Sequence, residues 1–123
     1  RANRHATFVN FFIQNILKYR YGNSLKTDGD KIAVQGLGRT FTLPRLPNEQ
    51  DYPVTSPDCI LPMSPAFPVM TYAIGNTPAA VAYQGSDYRT FVMGFPFESI
   101  REETSRNVIM ASILRFLTTD YTD

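Results

Sequence analysis

The sequence predicts an α/β domain: a small mixed β-sheet of four to six strands, flanked by an N-terminal and a C-terminal helix. Three observations predict it. Phe8, Phe12, Ile16 and Tyr19 recur at helical steps near the start. Short runs rich in β-branched and aromatic residues follow, separated by turn residues. From Tyr88 to Leu117 the chain then reads as strand, turn and helix in one continuous unit, around which the rest is organised.

Residues 6–20 are expected to be helical. Val9, Ile13 and Leu17 form a second apolar row beside the first, and Phe11 broadens the face, so this helix needs cover on more than one side. Tyr21-Gly22-Asn23-Ser24 reads as its stop signal, because Gly22 or Asn23 can take a left-handed cap conformation. Lys31 to Gly36 alternates around Ile32 and Val34 as a strand does, Gly36 to Arg39 turns the chain, and Thr40 to Leu43 is a hairpin partner. Between about 44 and 68 lie seven of the nine prolines, each removing an N–H and fixing φ, so an irregular surface excursion is expected there.

Val69 to Ala73 and Ala79 to Tyr83 are two further strands, expected to form a meander with a third at Arg89 to Met93. The last of these is short and apolar, which suits a central strand better than an edge. Gly94 ends it. Ser99 followed by Glu102 has the spacing of a capping box for a helix at about 101–117, with Ile109, Ile113, Phe116 and Leu117 on one face and Glu102 and Arg106 paired on the other.

Length and composition narrow the functional classes. A chain of 123 residues is the usual size of one domain, and 43% hydrophobic with 19% charged residues fits a chain that buries a core. A net charge of +1, with basic residues scattered, gives no field that would select nucleic acid. No apolar run reaches the length of a membrane span, and the first residues lack a leader's apolar region. Cys59 is the single cysteine, so an internal disulfide and a multi-cysteine metal site are excluded. Gly36-Leu37-Gly38 lacks the rest of a phosphate loop, and neither a metal nor another cofactor is expected.

Three segments carry a family resemblance: Tyr52 to Pro62, Ala79 to Tyr83, and Gly94-Phe95-Pro96-Phe97-Glu98-Ser99-Ile100. Together they resemble the C-terminal half of a class I glutamine amidotransferase-like, flavodoxin-like module. Such modules occur in secreted Bacteroidetes-type proteins labelled xanthan lyase or N-acetylmuramoyl-L-alanine amidase. In true class I enzymes the corresponding turn is a Phe-His-Pro-Glu-Ser type segment, whose His serves a distant nucleophilic Cys while the Glu orients it. Here Phe95-Pro96-Phe97-Glu98 retains the acid without the imidazole. A thiol needs a neighbouring base or a lowered pKa to attack, so the resemblance implies a scaffold without that chemistry. On this reading residues 1–123 are one such domain or its C-terminal half, in a secreted or envelope protein acting on polysaccharide or peptidoglycan. The implied partners are other domains, or an N-terminal half, of a parent protein.

Candidates for chemistry are few. Glu98 is the catalytic candidate, because residues at the end of a strand that turns into a helix line the crevice in α/β folds. Its structural reading is a carboxylate that favours a helix dipole. Asp87, Tyr88 and Arg89 are the candidate ligand-binding residues, with Asp87, Arg89 and Glu98 as a possible polar cluster. Asp87 and Arg89 are two apart on a strand and can equally share a solvated face. Cys59 as a nucleophile would need His5, the only histidine; a small half-buried thiol is the structural alternative. Seven tyrosines and no tryptophan allow a glycan-stacking surface, against which stands burial of Tyr72, Tyr83 and Tyr88 on strands.

Three readings follow: a scaffold or docking module, a hydrolase or lyase half-site completed by residues outside the chain, and a glycan-binding module. The half-site predicts a pocket reaching Glu98, and the glycan binder predicts coplanar exposed Tyr rings. The scaffold predicts an exposed apolar patch near Phe8, Phe11 and Phe12.

Overall fold

A computed structural model describes residues 11–25, 31–44, 57–100 and 102–118. Within them residues 11–15 are helical (α1), followed by strands β1 (Tyr19–Ser24), β2 (Lys31–Gly36), β3 (Arg39–Pro44), β4 (Asp58–Pro62), β5 (Phe67–Tyr72), β6 (Thr77–Gln84) and β7 (Arg89–Met93), and helix α2 (Glu103–Thr118). Short 3₁₀ turns occupy Ile74–Asn76 and Phe97–Ser99. The fold is α/β in the broad sense, and strands dominate it.

Two sheets form: a ribbon β1-β4, and a five-stranded sheet in the order β3-β2-β5-β6-β7. Helix α2 touches both β3 and β7, which stand at opposite ends of that order, so the larger sheet curls around the helix as a half-barrel. Period-two alternation supplies the concave face. Ile32 and Val34 of β2, Phe41 and Leu43 of β3, and Met70 and Tyr72 of β5 are all buried, and Ile109 and Ile113 of α2 meet them in the same core. Full burial of each such side chain contributes roughly 1.5–3 kcal/mol. Strand β4 packs on β6. Ala79, Ala80, Val81 and Ala82 are all buried despite alternating direction, so β6 is covered on both faces.

The β2–β3 hairpin and the β5–β6–β7 meander match expectation. In the hairpin, Leu37 and Gly38 both have positive φ, 54° and 77°, as a two-residue turn with the twist of its strands requires. Gly38 does this freely, whereas Leu37 is strained there and is held by packing against the core.

Several expectations are corrected. The sheet is not mixed: every described ladder is antiparallel, and the β2–β3, β5–β6 and β6–β7 pairs are joined by short turns rather than crossover helices. Strand β7 lies at the edge, and the continuously apolar run that marks a doubly covered strand belongs to β6. Helix α1 does not reach residue 20. Its described end closes with Ile16 and Leu17 N–H both donating to Phe12 O, Lys18 takes φ 64°, and β1 begins at Tyr19. The expected stop at Tyr21–Ser24 is strand, with a bulge between Tyr21 and Asn23. Gly22 is used there for a close approach, since an added Cβ would lie 3.0 Å from Cys59 O.

The proline-rich stretch is not wholly irregular either, since β4 and the start of β5 fall inside it. Pro68 is tolerated because β2 pairs with β5 only from Met70 to Tyr72, leaving Pro68 beside a bulge with no ladder to break on that side. Residues 45–56, including the Tyr52 to Ser56 part of the family resemblance, lie outside the described residues.

The two faces of α2 give a direct test of where the core sits. Ile109 is fully buried and Leu114 is 52% exposed. Ile109→Ala should cost about 2–5 kcal/mol in urea unfolding, while Leu114→Ala should stay within about 0.5 kcal/mol of the parent.

Candidate functional site

The turn after β7 is built by close backbone contact. Gly94 N–H donates to Ala79 O of β6 at 2.8 Å, and Asp58 N–H of β4 donates to Gly94 O at 2.8 Å. Any side chain at position 94 would run into Asp58 O, so only glycine lets β4 and the turn meet. Phe95 is then driven into the core, its ring 6.1 Å from Phe41 and 6.4 Å from Tyr72. The Tyr72 hydroxyl donates to Asp58 O at 2.7 Å, a third tie at the same junction.

From this anchor Pro96 leads into the 3₁₀ turn. Ser99 is buried and its hydroxyl donates to Pro96 O, and Ile100 is buried beside it. Ser99 therefore closes the 3₁₀ turn and does not cap α2. The carboxylate at the start of α2 is Glu102, whose backbone carbonyl accepts from Arg106 N–H at 2.9 Å. The paired partners also differ from expectation: Arg106 Nη1 donates to Ile100 O, and Glu102 is engaged by Ser105 and Arg39. Glu98 is carried outward and is exposed.

The structure separates the other candidates from Glu98. Asp87, Tyr88 and Arg89 sit at the opening of β7, and the turn carrying Glu98 follows its far end. The four residue steps of the strand span about 13 Å. Arg89 Nη1 donates to Phe116 O at 2.6 Å and its guanidinium stacks 5.4 Å from the Phe116 ring, so it binds the carbonyl end of α2, where a cation is favoured. Tyr88 donates to Ile16 O at 2.9 Å. Asp87 is exposed and accepts a 3.4 Å bond from Ser86 Oγ. Each of the three has a local partner, and they do not converge on Glu98.

Cys59 is buried, not half-buried, and its Sγ lies 3.4 Å from Thr77 Oγ1. His5 lies outside the described residues. Among the described residues no group of three or more His, Cys, Asp or Glu side chains could hold a metal ion. Tyr72 is fully buried, and Tyr83 and Tyr88 are half-buried with rings 5.0 Å apart and tilted by 47°, so these three offer no shared flat platform.

One polar constellation has no local sequence signal. Ser105, buried in α2, donates to Glu102 Oε1 at 2.6 Å and accepts from Arg39 Nη2 of β3 at 3.1 Å, while Arg39 and Glu102 approach to 3.8 Å. Its members are brought together only by α2 crossing the sheet to β3. Two shallow grooves flank it. One, of about 460 Å³, runs along the β2–β3 turn and β5 past Gln35, Arg39 and Thr71; the other, of about 530 Å³, has Thr40, Phe41, Thr42 and Glu102 in its lining. The Ser105 hydroxyl is beyond reach of a substrate, so the trio acts as a clamp between β3 and α2. Compared with known protein families, characterised proteins and solved structures, the chain matches none.

Burial, followed by the neighbouring Cys59 and Asp58, holds the Tyr72 phenol well above its ordinary value. Burial and then Asp58 raise Tyr19, and burial and then Tyr83 lead the rise at Tyr88. A raised phenol favours the neutral form in the folded state. Its stabilisation is therefore complete below the unfolded value near 10 and is lost as pH rises through the folded value.

Tyr72→Phe should cost about 0.5–1.5 kcal/mol at pH 7 through the lost bond to Asp58 O. It should also flatten part, not all, of the alkaline fall in stability, measured by urea unfolding at pH 8 and above pH 10. Gly94→Ala should cost about 1–3 kcal/mol by forcing β4 off the turn, read as a lower urea midpoint at unchanged slope.

Proposed function

We propose that this chain is a non-catalytic accessory module, a scaffold or docking element of a larger secreted or envelope protein that acts on polysaccharide or peptidoglycan. The carrying observation is an apolar surface on the α1 segment. Phe11 is 60% exposed, Phe12 43% and Ile16 39%. Scattered single apolar residues on a surface need no explanation, but two Phe and an Ile within six residues form a patch of the kind that packs on another domain. The patch is held firmly from behind, where Tyr88 bonds Ile16 O and Thr90 Oγ1 lies 3.4 Å from Leu17 O. Phe8, the third residue expected in it, lies outside the described residues.

The groups that would have to act in a half-site lend it little support. Glu98 faces solvent, Cys59 is enclosed, and Arg89 is engaged with α2. The finer fold assignment, an amidotransferase-like half-domain, enters this proposal through the Gly94 to Ser99 turn alone. Flavodoxin-like sheets are parallel, so the antiparallel ladders described above weigh against that finer assignment. The secreted or envelope setting rests on the sequence resemblance. Among the described residues no helix is long and apolar enough to cross a membrane.

The test replaces the patch and leaves the core alone. The double variant Phe11→Ser, Phe12→Ser should bind a hydrophobic dye such as anilinonaphthalene sulfonate several-fold more weakly than the parent, with stability within about 0.5 kcal/mol per site. Unchanged dye binding, or a collapse of stability that places these rings in the core, would refute the docking surface. Turnover of a peptidoglycan fragment or a polysaccharide by the purified chain, abolished by Glu98→Gln, would overturn the non-catalytic reading.

A further inference from the structure

We draw no further inference here: the strongest candidate, the exposed apolar stripe of Met110, Leu114 and Leu117 on the outer face of α2, is an unpartnered helix face and nothing in the structure shows what covers it.

Discussion

Three segments distant in sequence meet at the backbone of Gly94, and the meeting leaves no room for a side chain. Its N–H is taken by β6 and its carbonyl by β4, while the Tyr72 hydroxyl of β5 reaches the neighbouring Asp58 carbonyl. Buried backbone groups left without partners would each cost about 1–3 kcal/mol, so these bonds are conditions for closing the core at this point. Once they form, Phe95 has only one place to go, between Phe41 and Tyr72. That fixes the direction in which the chain leaves for α2.

The half-barrel follows from this constraint. Helix α2 is seated at its start by the Arg39–Ser105–Glu102 clamp and near its end by Arg89 on the Phe116 carbonyl. Between them Ile109 and Ile113 fill the concave face. Arg39 is only one-third exposed and Glu102 two-thirds, so their attraction is weakened by solvent, and the clamp owes more to the buried hydroxyl between them. Arg39, Ser105, Glu102 and Arg89 are thus engaged in holding layers together.

Much of the strand pattern was legible because it depends on local alternation and turn chemistry. The β2–β3 hairpin and the meander follow from such signals, whereas the Ser99 expected to cap α2 closes the preceding 3₁₀ turn instead. What was not legible depends on partners. Residues Tyr19 to Ser24 carry Gly and Asn and read as a helix stop, yet they form a strand because β4 lies alongside and Gly22 permits the approach. The run Arg89 to Met93 reads as central because composition reports burial, and α2 half-covers it although no strand lies beyond it among the described residues. At the site, Glu98 stood out through its motif, but the path of the backbone after Gly94 decides where it points. The clamp had no signal because Arg39 and Ser105 are 66 residues apart.

Tyr88 stands just before β7 and Arg89 is the strand's first residue, so two neighbouring side chains serve two different partners. One grips the carbonyl of Ile16 and the other that of Phe116. The backbone just after α1 and the last turn of α2 are thereby moored to one short stretch of chain, so whatever displaces the opening of β7 is felt at both.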